Sequence, residues 1–181
     1  MTHHVALTWL IARAAGVSAY VLLTVSSLAG LMMSGRLFKN DLRNASILEA
    51  HRFLALLGLM FVALHGFALA VDTVAPVALK ALVIPGAASF RPLSTATGVI
   101  AAELWLVVFV SFRLRRFIGV RRWRILHYTT FAVFGLATVH TLYTGTDSNR
   151  PWLMYMAQAS VGLVAAATTW RIVTARRFAQ G

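Results

Sequence analysis

Five long apolar runs separated by polar breaks organise the chain: residues 9–33, 53–71, 94–112, 125–143 and 152–172. Each approaches the roughly 20 residues that a helix needs to cross a hydrocarbon core of about 30 Å. The pattern predicts an all-α, polytopic membrane protein, a bundle of five transmembrane helices forming a single domain over residues 1–181. No basic residue precedes the first run, which is also longer than the apolar part of a secretory signal, so it reads as a spanning helix. The longest break, VDTVAPVALKALVIPGAASFRPL, contains VAPVALKALVIPG, which is too short to span. It predicts a short interfacial helix started by Pro76 and ended by Pro85 and Gly86.

Composition fixes the solvent. The 181 residues are 59% hydrophobic and only 12% charged, with a mean hydropathy of +0.75. A soluble domain would be charged at about a quarter of its positions, so most of this chain faces lipid. It contains no cysteine, which excludes disulfides, thiolate nucleophiles, iron–sulfur clusters and thiolate-bound haem.

The net charge of +12 invites a nucleic-acid reading, but its distribution argues for membrane lipid as the partner and against nucleic acid. With five spans, Arg36, Lys39, Arg43, Arg52, Arg113, Arg115, Arg116, Arg121, Arg122, Arg124, Arg171, Arg176 and Arg177 fall on one side. Only Arg13, Lys80, Arg91 and Arg150 fall on the other. The positive-inside rule then puts the N-terminus outside and the C-terminus in the cytoplasm, in a plasma or inner membrane. The third connection, RLRRFIGVRRWR, holds six arginines in twelve residues. It suits either anionic headgroups, where each basic residue adds about 1 kcal/mol, or an acidic electron-donating protein.

The chemistry lies in the histidines. HRFLALLGLMFVALH begins at His51 and ends at His65, an offset of fourteen residues, or about 21 Å of helical rise. At about 100° per residue the two rings share a helix face. The fourth span repeats the device with His127 and His140, thirteen apart. The second and fourth spans run in the same direction, so His51 meets His127 at one depth and His65 meets His140 at another. A straight, regular helix would turn the second ring of the fourth span about 140° off the first one's face; tilt or local distortion must absorb that.

Ionisable groups at such depth are rare and need partners. Two opposed imidazole pairs stacked across a membrane suit two haem b groups, with His51/His127 and His65/His140 as axial ligands to iron. Neutral imidazole ligates iron well while a carbonyl holds its other ring N–H, and two per iron favour outer-sphere electron transfer. Zinc or copper would want three or four ligands at about 2 Å from one ion. Arg13, Arg52 and Arg124 are candidate partners for haem propionates, in competition with snorkelling to the interface. Glu103, well inside the third span, is expected to be protonated or paired; it is a candidate for passing a proton or orienting an outer ligand. Gly58, Gly66 and Gly135 offer close approach to a macrocycle or a helix. His3 and His4, in the outer tail, are expected to be solvated.

This histidine pattern, together with RRWRILHYTTFAVFGLATVHTLYTGTDS, resembles the ferric reductase-like transmembrane family. That family includes the membrane parts of ferric reductases and NADPH oxidases and the haem-binding subunit of a bacterial methionine sulfoxide reductase system. The resemblance covers roughly residues 9–170, and its specific part is the four histidines plus the WRxLH start of the fourth span. It implies haem b at both pairs. Larger members have an additional N-terminal span and a fused flavin and nicotinamide domain. This sequence has neither, nor a glycine-rich nucleotide fingerprint opening a strand–helix unit, so a separate cytoplasmic flavin reductase or other donor is expected.

The leading expectation is an oxidoreductase component that passes electrons to an outer-face acceptor: a metal chelate, oxygen, a protein or a quinone. One alternative is a quinol-linked cytochrome b. Another is a non-redox helical protein whose histidines make polar contacts or relay protons.

Overall fold

A computed structural model describes residues 7–34, 41–73 and 76–179, which are helical with no strand among them. His3, His4, Arg36 and Lys39 lie outside the described residues. The elements are α1 (Leu7–Ser34), α2 (Asp41–Ala70), α3 (Leu79–Val83), α4 (Pro92–Ile118), α5 (Val120–His127), α6 (Thr130–Tyr143) and α7 (Pro151–Ala179). Four segments are long and apolar enough to cross a membrane: Leu7–Met33, Asn44–Ala70, Pro92–Ile118 and Val120–Tyr143. The last comprises α5 and α6. At 29 residues α7 is equally long but is not among them; Gln158, Ser160, Thr168 and Thr169 dilute its hydropathy.

Several helices outrun the apolar runs that announce them. Hydropathy marks where lipid is, whereas a helix ends where its hydrogen-bond ladder ends, so α2 begins well before residue 53. The arginine-rich segment expected as a connection is instead the end of α4 and all of α5, joined at Gly119. That residue has φ of 83°, a conformation open to glycine and strained for other residues. The short helix after α2 starts at Leu79 rather than at Pro76, and extended Ile84 ends it.

Helices α1 and α2 are antiparallel neighbours, as are α4 and α6, and α7 packs on α1. Small residues on α1, namely Ala12, Ala15 and Ala19, are almost fully buried and let the neighbouring backbone come close. The core combines Tyr20, Leu23, Leu31, Ala101, Trp105, Val133, Phe134, Ala157 and Val164. Tyr20 stacks on Phe134 with centroids 5.9 Å apart, and its hydroxyl is 3.0 Å from that of Thr138. Gly58 on α2 leaves room for the Trp105 indole: a Cβ there would sit 2.7 Å from Trp105 Cζ2.

Helix α2 shows how the chain sorts lipid from interior. Phe53, Met60 and Phe67, spaced by seven, are between 60% and 65% exposed. Two positions earlier in each case, about 200° around the axis, lie His51, Gly58 and His65. Large apolar side chains this exposed over a whole helix face would be an aggregation hazard in water; in hydrocarbon they are at home.

Gly58→Val should lower stability by about 1–3 kcal/mol through overpacking against Trp105. The decrease should largely vanish in a Trp105→Ala background, as a thermal-unfolding cycle in detergent would show.

Candidate functional site

The interior face of α2 carries His51 and His65, and the fourth apolar segment places a ring against each. The centroids of His51 and His127 are 6.1 Å apart with planes at 74°. Those of His65 and His140 are 6.3 Å apart at 85°. Both pairings expected from depth are therefore met.

The thirteen-residue offset is absorbed in part by a break in the helix. Between α5 and α6, Tyr128 and Thr129 have φ/ψ of −65°/−17° and −63°/−12°, close to 3₁₀ values. Thr129 N–H donates to Leu126 O (3.0 Å) and Phe131 N–H to Tyr128 O (3.2 Å), both three residues back. This geometry turns about 120° per residue instead of about 100°, adding the sense of rotation that thirteen regular residues lack. The threonine hydroxyls add donors to carbonyls at the break: Thr129 donates to Leu126 O at 2.7 Å and Thr130 to His127 O at 2.8 Å. Lipid offers no other partner for those groups.

Three of the four rings are tied to the backbone of a neighbouring helix. His51 Nδ1 lies 2.8 Å from Ser26 O, His65 Nδ1 2.7 Å from Ala12 O, and His140 Nδ1 3.0 Å from Ser94 O. A carbonyl only accepts, so Nδ1 carries the proton in each and Nε2 keeps its lone pair. Ser26 also donates its hydroxyl to His51 O at 3.4 Å. His127 differs: no hydrogen bond reaches its ring from the described residues, and it stacks on Trp123, centroids 5.1 Å apart at 27°.

Each anchored ring lies against a glycine. A Cβ on Gly16 would sit 3.1 Å from His65 Nδ1, one on Gly30 would sit 3.4 Å from His51 Cε1, and one on Gly98 would overlap the His140 ring. The glycines singled out in the sequence play other parts. Gly58 accommodates Trp105, a Cβ on Gly66 would meet only Leu82 in ordinary contact, and one on Gly135 would stand in open space. Gly16 and Gly30 were nevertheless legible: their offset of fourteen equals that of His65 and His51, which antiparallel packing of α1 on α2 requires.

The charged candidates are already engaged to different degrees. Arg13 pairs with Asp147. Arg52 donates to Glu49 at 2.6 Å and its guanidinium lies 4.6 Å from the Phe112 centroid. Arg124 is exposed on α5 beside Val120, Arg121, Ile125 and Tyr128. Glu103, expected to be protonated or paired, is exposed on α4 and makes no ion pair among the described residues. Among the described residues, four buried donors or acceptors lack a partner: Arg13 Nε, Thr144 Oγ1, Arg52 Nε and Trp123 Nε1. The first two flank the His65/His140 end and the last two the His51/His127 end, so each pair has two unsatisfied polar atoms nearby in sequence or contact.

Could the pairs hold a metal between them? Metal–imidazole bonds of about 2.0–2.1 Å, with roughly 1.1 Å from nitrogen to ring centre, put two centroids about 6.2 Å apart. Both observed separations fit. Among the described residues no group of three or more His, Asp or Glu side chains converges to hold an ion without help, so a metal here would need its equatorial ligands from elsewhere. No protein-family model, curated protein or solved structure matches the chain.

Histidine 15N spectra of the membrane-embedded protein should show protonated Nδ1 at His51, His65 and His140. Gly98→Val should remove the His140 Nδ1–H···O bond while leaving the His51 signal in place.

Proposed function

We propose that the chain is a di-haem b electron-transfer protein, with His51 and His127 holding one haem iron and His65 and His140 the other. The observation that carries this reading is the twofold occurrence of crossed imidazoles at 6.1 and 6.3 Å. A direct N–H···N bond between rings, about 2.9 Å long, would bring the centroids to about 5.1 Å. The observed spacing is too wide for that contact and suits one bridging ion, which favours ligation over a polar contact or proton relay between the rings.

Haem iron supplies a one-electron carrier when bound. The chain supplies the rest. The bonds from Nδ1 to carbonyls aim Nε2 and raise its basicity. His51 with His127 and His65 with His140 would hold the two groups, and with two imidazoles each the group would supply outer-sphere one-electron transfer there. Arg13 and Thr144 at one level, and Arg52 and Trp123 at the other, have unsatisfied atoms to offer propionates. Between the levels, about 21 Å apart along α2, Trp105, Tyr20 and Phe134 fill the interior and exclude water.

In this reading α7 is a fifth span, α3 lies at the outer interface, and the arginine-bearing elbow of α4 and α5 faces the cytoplasm by the positive-inside rule. The N-terminus is outside and the C-terminus inside. A separate cytoplasmic donor, a flavoprotein by its chemistry, would then lie nearer His51 and His127, and an outer-face acceptor nearer His65 and His140.

The protein purified from haem-replete cells should carry two haems with a Soret band and sharp reduced α-bands. Each of His51→Ala, His65→Ala, His127→Ala and His140→Ala should lose or convert about one of the two. A colourless preparation would refute the proposal. Because the natural chain has no cysteine, single-cysteine reporters at Ser89 and Val120 should label from outside and inside respectively. The opposite pattern would invert the orientation.

A further inference from the structure

The two levels are not built alike, and the difference falls on one residue. Three imidazoles each have a backbone carbonyl on Nδ1 and a glycine against the ring, whereas His127 has neither among the described residues. It is the last residue of α5, an eight-residue helix with no buried side chain. That helix lies between two departures from regular geometry, Gly119 on one side and Tyr128–Thr129 on the other. What holds the ring is a column of π contacts. Trp123 stacks on it, Phe112 meets Trp123 edge-on at 6.0 Å, and the Arg115 guanidinium lies 5.4 Å from the Trp123 centroid.

Hydrogen bonds to a ligating imidazole are worth roughly 10–100-fold in metal affinity, and a stack orients a ring without fixing its rotation about the stacking axis. We infer that Trp123 is the positioning residue of His127, and that the His127 side of the His51/His127 level is the one coordination position that exchanges with a small neutral π-acceptor ligand such as carbon monoxide. This rests on the haem reading above. Displacement needs only the elbow to swing: α5 moves about its two flanking bends, carrying His127 off the metal, while His51 stays tied to Ser26. At the other level both rings are anchored, by Ala12 and by Ser94.

The test uses the full chain in lipid nanodiscs, reduced with dithionite and exposed to carbon monoxide, followed by Soret and α-band spectra. In the natural protein about half of the haem should form the carbonyl adduct. Trp123→Ala should speed adduct formation roughly three- to tenfold, as expected for loss of an aromatic stack, and Trp123→Phe, which keeps an aromatic face but not Nε1, should bring the rate back toward the natural one. In His127→Ala the outer haem should stay inert, whether or not the inner one is retained. If both haems bind and neither reacts, if the outer haem reacts, or if Trp123→Ala leaves the rate unchanged, this inference fails and the haem reading stands. A protein without haem would overturn both.

Discussion

The bonds from imidazole Nδ1 to main-chain carbonyls across helix boundaries are the constraint on which the rest of the site depends. Inside hydrocarbon a polar ring has no water to fall back on, so it must find a partner within the bundle. His65 and His51 find theirs on α1, at Ala12 and Ser26, and His140 finds its own on α4, at Ser94. Each bond joins two helices, sets a tautomer, and leaves Nε2 as the atom with a lone pair to give. The glycines opposite the rings belong to the same arrangement, because a carbonyl can be reached only if the helix carrying it comes close. Packing, protonation state and ligating capacity thus follow from one type of contact.

Much of this was legible in the sequence. The equal depth of the histidines followed from rise per residue, and helix class followed from apolar run length. What hydropathy could not supply was where helices stop. Arg113 to Arg116 and Arg121 to Arg124 look like a loop because they are charged, yet their backbones are helical up to Gly119 and beyond it. The thirteen-residue offset signalled a distortion without locating it. Tyr128 and Thr129 carry part of it, and the clue was the Thr129–Thr130 pair, whose hydroxyls donate to the carbonyls beside the break.

The side-chain environment was harder to read. Arg13 read as a propionate partner or a snorkelling side chain near the outer surface, but Asp147, 134 positions away, completes an ion pair with it; long-range partners leave no periodic trace. Glu103 was expected to be protonated or paired because it lies deep along an apolar helix. It lies on the face opposite Ala101 and Trp105, a matter of about 200° that two residues decide. Trp123 escaped notice because an aromatic beside arginines is ordinary at a membrane boundary, and only proximity to His127 gives it a role.

The match between the Gly16/Gly30 and His65/His51 intervals has a mechanical corollary. Two contacts fourteen residues apart pin α1 to α2 at both ends of the hairpin, so neither sliding by one turn nor rolling is open to the pair without breaking both at once. The hairpin therefore behaves as a stiff plank. Whatever conformational freedom the bundle retains must reside in its other half, where α5 and α6 are short and follow α4 across only one or two residues at each joint.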